Sequence, residues 1–447
     1  MLEAKNKFQE KADVKSILEI FNKGCKPEQN HKVGLEYERI PISANDFTTV
    51  GYDGEGGVYD ILRAFAKQDG WDYITDDYNI IGLQKGEDSI YLEPGSQLEL
   101  SLEPQKNIAD LKSKIDNFNK KILPILRKHE ISLLEYGISP VSTYKYIDLI
   151  PKKRYHIMAD YLWGILSDVM MRETAGIQGC YDFSSEEDAI RKFRIANIIS
   201  PFMTAMFANS PIRGGVDTGY KTFRGLSWLN TDNERCEFMS KKLFDSKSGY
   251  GFADYVDEVM ETPMIYISRG DKPVQISGKV NFKEFMERGY EGYGATLEDF
   301  QLHANLYFPE VRLRNFIEIR NHDCANHGMQ YSILAIYKGL LYNKKALADV
   351  EKLLSKFNYN HIMELRYNVP RSALNSKIGK FRAKDIAKEL LIIAQNSLRE
   401  NGEGEERFLE PIMELTPYGI SPADLILKHW YGDWDKDVSK MVKYLNS

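Results

Sequence analysis

Two glutamates, Glu36 and Glu38, sit two apart in VGLEYERIPI at 33–42, a stretch that otherwise reads as a strand. Side chains alternate faces along a strand, so both acids project from one side of a sheet, roughly 7 Å apart. The pattern recurs. In SQLELS, Gln97, Glu99 and Ser101 share one face and Leu98, Leu100 and Leu102 the other. In RNFIEIRNHD, Glu318 and Arg320 share a face while Ile317 and Ile319 oppose them. A solvated face of an antiparallel sheet follows the same arithmetic. Such faces usually mix lysine and threonine with the acids, however, and lysine is missing from these three stretches. Two carboxylates at that spacing repel by about 2 kcal/mol at an effective dielectric of about 20. Several on one surface need a cation among them. Mg²⁺ prefers oxygen ligands and shares its shell between carboxylates and substrate phosphates, while arginine grips phosphate or carboxylate through a planar fork. The pattern therefore suits a magnesium–nucleotide cradle.

The elements needed to position these residues can be read along the chain. VKSILEIFNKG predicts an amphipathic helix over about 12–24, ended by Gly24. The strand 33–42 follows, then a turn, DGEGG, opening the helix VYDILRAFAKQ. NIIGLQKGEDSIYLEPG and SQLELSLEP alternate in hydropathy, a helix covers 107–129, and SLLEYGISP reads as a strand. Ser184 with Glu187 three residues on predicts a capping box before a long buried helix, and Ser421–Pro422 reads as N-cap and first helical residue. Strands and helices are interspersed without a regular βαβ beat. The expected class is α+β with a largely antiparallel sheet. No repeat, low-complexity segment or Ser/Gly linker divides the 447 residues, so one domain over 1–447 is expected.

Composition excludes several classes. A net charge of −6 without a long basic run argues against nucleic acid, and no apolar stretch is long enough to span a bilayer. The start, MLEAKNKFQEKADVKS, has no apolar core of a signal peptide. The four scattered cysteines suit a reducing compartment, and a cytoplasmic location is expected. There is no GxxxxGK[ST], GxSxG or HExxH, and GEGG at 54–57 lacks dinucleotide-site spacing.

Longer blocks now matter. The chain resembles the glutamate–cysteine ligases of the plant and proteobacterial type. GLEYER at 34–39, GLQKGEDSIYLEPGSQLELS at 82–101 and IPKKRYHIM at 150–158 carry the resemblance. It continues through IQGCYDFSSEEDAIRKFR at 177–194, FANSP at 207–211, WLNTDNER at 228–235, FPEVRLRNFIEIR at 308–320 and GISPADLILKHWYGDW at 419–434. These blocks run in order over nearly the whole chain. The resemblance implies a curved antiparallel funnel of the glutamine synthetase kind, flanked by helices. It also implies two chemical steps: ATP phosphorylates the γ-carboxylate of L-glutamate, and the amine of L-cysteine displaces phosphate. Positioning and positive charge drive such chemistry, so no protein nucleophile is required.

Carried across by position, the resemblance implies metal ligands at Glu36, Glu38, Glu99 and Glu318, with Glu93 a further candidate. It places Arg320 on the transferring phosphate, with Glu318 beside the nucleotide, and Glu36 in catalysis. Arg224, Gln178, Arg235 and Cys180 fall at substrate positions. The implied requirements are ATP and Mg²⁺, the implied partners small molecules, and the assembly a monomer or homodimer. Two departures stand out. Tyr37 replaces the usual histidine between the acids, and Cys180 stands where the family has asparagine. The second leaves the acceptor open between cysteine and another amino acid or amine.

Overall fold

The computed structural model describes residues 11–270 and 272–446. Its centre is one sheet of nine strands. These are β1 (Val33–Ser43), β2 (Asp72–Asp76), β3 (Asn79–Lys85), β4 (Asp88–Leu92), β5 (Leu98–Gln105), β6 (Ile131–Leu134), β7 (Gly176–Tyr181), β8 (Val311–Leu313) and β9 (Ile317–Asp323). The order is β8-β9-β7-β1-β5-β4-β3-β2, with β6 paired to the far end of β1. Every pairing is antiparallel. The mixed helix and antiparallel sheet read from the sequence is therefore found.

Alternation decides what each face does. Leu35, Tyr37, Leu98, Leu100, Ile177, Tyr181, Ile317 and Ile319 all turn to one side and are buried. Helices Ile108–Lys128, Glu186–Met206 and Met329–Leu341 cover that side. Each such side chain contributes about 1.5–3 kcal/mol by leaving water. That burial locks the register, because a slip of one residue would turn the acids into the core.

Local structure departs from expectation in a few places. The first helix runs Val14–Asn22, capped by Asp13. The N-cap of the long buried helix is Ser185, not Ser184. Its hydroxyl accepts from the Asp188 N–H, and Ser184 instead donates its N–H and hydroxyl to Asp188. Asp188 also pairs with Lys192 one turn on, at 2.8 Å. The strand read at 132–140 shrinks to Ile131–Leu134. The sheet-edge strand Asp72–Asp76 had no signal, because its partly exposed face carries two aspartates and little apolar pattern. Ser421 caps Pro422–Tyr431 as expected. Residues 1–10 of the charged start lie outside the described residues.

Candidate active site

The polar face of the sheet gathers the acids. Across β1 and β5, Glu38 stands opposite Glu99; across β1 and β7, Glu36 stands opposite Gln178. Tyr91 flanks Glu99 on β4, and Glu318 and Arg320 lie on β9 beyond β7. Together they line a cleft of about 410 Å³.

One flank is rich in arginine. Glu318 accepts from Arg312 Nε at 2.6 Å, Arg314 Nη1 at 3.3 Å and Arg320 Nη1 at 3.4 Å. Burial alone would raise this carboxyl, but the three guanidinium groups win and hold it well below the usual range. Arg320 Nη1 also donates to Gln178 Oε1 at 2.6 Å, and Gln178 Nε2 donates to Glu38 Oε1 at 3.1 Å. The second Glu38 oxygen accepts from the Gly176 N–H at 2.5 Å. A continuous polar chain thus joins Glu318 to Glu38.

Arg224 enters from the helix Phe223–Leu229, which Thr222 caps. Its Nη2 donates to the Arg320 carbonyl at 3.1 Å, while Nε and Nη1 are buried without a partner among the described residues. Only glycine at 176 leaves room for this guanidinium, since a Cβ there would collide with it. Trp228 lies within 6 Å of both Arg224 and Arg320, a stacking wall for two cations. The FANSP block has a structural reason. Buried Asp323 accepts from the Asn209 N–H, the Ser210 hydroxyl and the Thr222 hydroxyl, and Ser210 in turn receives the Arg224 N–H.

The middle of the cleft is uncompensated. Among the described residues, neither Glu36 nor Glu99 has a side-chain hydrogen-bond partner. Burial, reinforced by Glu318, raises the Glu36 carboxyl to about 7. Burial and then Glu36, Glu93 and Glu38 hold Glu99 well above the ordinary value. Burial raises Glu38 too, against the pull of Arg224. Among the described residues, no three His, Cys, Asp or Glu side chains yet stand close enough to share one ion. The donor set is nevertheless all carboxylate oxygen, the chemistry a hard dication takes.

The other flank carries lysine and tyrosine. The turn after β4 is closed by Ser96 N–H to the Glu93 carbonyl and by Gln97, whose side chain bonds Gly95, Met171 and Thr174. Glu93 is thereby held facing the cleft, where it accepts from Tyr155 Oη at 2.9 Å. Lys152 Nζ donates to the same hydroxyl at 3.2 Å.

Two residues expected at substrate positions stand elsewhere. Arg235 is fully buried outside the cleft. It pairs with Asp232 at 3.1 Å and donates to the carbonyls of Leu306 and Pro263 and to Tyr161, so its hydrogen bonds brace loops. Cys180 shares the acids' face but lines an adjoining cavity of about 210 Å³ with Lys26, Lys32 and Asp182, which meets the cleft at Glu36. Sequence reading missed Arg312, Arg314, Lys152, Tyr155 and Trp228. Arg312 and Arg314 had a readable signal, the period-two spacing in VRLRN that mirrors IEIR across a tight hairpin. Lys152 and Tyr155 sit on a loop and helix start, where no periodicity points at a sheet face.

The chain is also similar to known proteins. The model of the Glutamate-cysteine ligase family 2 matches residues 32–443. Chloroplastic glutamate–cysteine ligase B of Oryza sativa subsp. japonica is 32% identical over 427 residues, covering 94% of this chain and 85% of the relative. The chloroplastic glutamate–cysteine ligase of Arabidopsis thaliana is 30% identical over 434 residues, covering 96% and 82%. A crystal structure of the Francisella tularensis glutamate–cysteine ligase in complex with AMP superposes with a TM-score of 0.57 at 13% identity. It covers 94% of this chain and 89% of that one, which is a likeness of fold.

Proposed function

Because the chain belongs to the Glutamate-cysteine ligase family 2, we propose that it joins the γ-carboxylate of L-glutamate to the amine of L-cysteine with ATP. A γ-carboxylate oxygen attacks the terminal phosphorus of ATP and ADP leaves. The free amine then attacks the carbonyl carbon of the γ-glutamyl phosphate, inorganic phosphate leaves, and the nitrogen sheds a proton. The observation that carries this reading is one cleft holding four sheet glutamates beside Arg320, Gln178 and Arg224.

Arg320 is oriented by Gln178 and Glu318, so its fork meets transferring phosphate without rearranging. Arg224, with two buried nitrogens unpartnered, suits the α-carboxylate of glutamate. Glu36, Glu38 and Glu99 would hold Mg²⁺, whereas Glu318, the fourth acid the resemblance implied, has both oxygens taken by arginines. Glu36 and Glu99, free of hydrogen bonds to the described residues, are the two able to swing onto it. When bound, the ion supplies charge neutralisation for the phosphates. Trp228 and Met158 exclude water that would hydrolyse the acyl phosphate. The unpaired cysteines fit a reducing compartment, the cytoplasm in this reading.

The test incubates the protein with ATP, Mg²⁺, glutamate and cysteine, and follows ADP and γ-glutamylcysteine by mass spectrometry. Cysteine-dependent formation of both is expected. ADP release that ignores glutamate would sink the proposal.

A further inference from the structure

The lysine flank has no part in activating glutamate as described above, yet it is built with care. Lys152 is largely withdrawn from water, its ammonium sitting over the Tyr155 ring at 4.4 Å and near the Tyr91 ring at 5.8 Å. Among the described residues it makes one hydrogen bond, to Tyr155 Oη, and no ion pair within 4 Å. An ammonium has three donors, so two protons remain for something that enters the cleft. A few ångströms on, Glu93 spends one oxygen on the same tyrosine hydroxyl and keeps the other unbonded among the described residues. One tyrosine oxygen therefore spaces a cation from a carboxylate, both facing the cleft. That is the complement of a zwitterion.

We propose, resting on the ligase reading above, that Lys152, Tyr155 and Glu93 form the acceptor subsite, in which Lys152 binds the acceptor's α-carboxylate and Glu93 its α-ammonium. The acceptor is then an α-amino acid, and simple amines are excluded by charge. The opposite flank supports this division. Of the donor's grips, Gln178 and Arg320 lie three and four strands from β4, on β7 and β9, and Arg224 enters from the helix after Thr222, with the acids between. Once its ammonium has passed a proton to Glu93, the amine meets the acid centre from the side away from Arg224 and Arg320, which leaves the phosphate free to depart toward those two arginines. Burial lowers the Lys152 ammonium from its usual value, and an arriving carboxylate restores it. Glu93 becomes a substrate contact, in place of the metal role its sequence position implied.

The test compares L-cysteine with cysteamine, the same thiol and amine without the carboxylate, in the natural protein, Lys152→Met and Lys152→Arg. Hydroxylamine trapping of the activated glutamate is run on each preparation. We expect cysteine to exceed cysteamine by about tenfold or more in kcat/KM in the natural protein, as a site built for a charged group rejects an analogue lacking it. Lys152→Met should lose most of that preference through a higher KM for cysteine, and Lys152→Arg should keep most of it. Equal use of the two acceptors by the natural protein overturns the inference. So does a Lys152→Met variant that loses both acceptors equally, or one whose KM rises for glutamate instead. A Lys152→Met protein that traps no hydroxamate would show the lysine serving the donor site or the fold, which also overturns it. Absence of ATP- and glutamate-dependent hydroxamate in the natural protein would sink the ligase reading itself, a distinct result.

Discussion

Glu318 and Glu36 are the same residue type on the same face of one sheet, two strands apart, and their surroundings shift them in opposite directions. Glu318 has three guanidinium groups within hydrogen-bond reach and is kept ionised. Among the described residues none reaches Glu36, and burial with a like-charged neighbour pushes it up to about 7. The arginine flank is therefore preformed, its charges neutralised by partners on neighbouring strands. The acid centre is left short of positive charge, which in the reading proposed above a substrate complex would bring. A structural face would pair every acid with a cation; of the cleft acids, among the described residues, Glu318 is the one in ion pairs.

The sharpest way to break that contrast is to remove the uncompensated charge. Glu36→Gln and Glu38→Gln should each cut ligation by about a hundredfold or more at saturating Mg²⁺ while the fold persists, read by product formation and circular dichroism. Near-natural rates in both variants would take these residues out of the site.

On the preformed flank the effect should be smaller and of a different kind. Arg320→Lys keeps the charge but loses the fork that engages Gln178 and Glu318. Turnover should fall about tenfold with the KM for cysteine changed less than about twofold. A change confined to the cysteine KM would assign Arg320 to the acceptor.

The contrast also has a pH signature. With a folded-state value of about 7 against about 4.3 unfolded, Glu36 binds more protons folded than unfolded between those limits. Stability without divalent cation should therefore fall as pH rises from about 5 to about 7.5 and level off above. Glu99, raised in the same sense, adds to the fall. Mg²⁺ should raise the melting temperature more at about pH 8 than at about pH 6, because protons compete for the same oxygens. Thermal melts with and without Mg²⁺ at both pH values check this, and a Mg²⁺ effect independent of pH would contradict it.

The least effect is expected at Cys180, which borders the neighbouring cavity. Cys180→Asn should alter the preference among cysteine, 2-aminobutyrate, serine and alanine by less than about twofold. A larger swing, scored in competition by product mass, would extend the acceptor subsite across Glu36 toward Lys26.

Much of this molecule was legible without coordinates, for a local reason. Alternation along a strand is set by the backbone, so LEYER, QLELS and FIEIR declare a polar and an apolar face from the residues alone. The acids at 36, 38, 99 and 318 and Arg320 follow from that, as does the antiparallel sheet. Caps and turns at Gly57 and Ser421 were equally local. The rest depended on neighbours distant in the chain. That Arg235 is clamped by carbonyls of residues 263 and 306, and that Lys152 meets Glu93 through Tyr155, follow from packing of segments 28 to 71 residues apart for the first and about 60 for the second. Charge state was beyond sequence for the same reason. Glu318 and Glu36 read alike in one dimension, and only the strand order that brings Arg312, Arg314 and Arg320 to one of them decides which carboxylate is satisfied by the protein and which is left for a substrate complex.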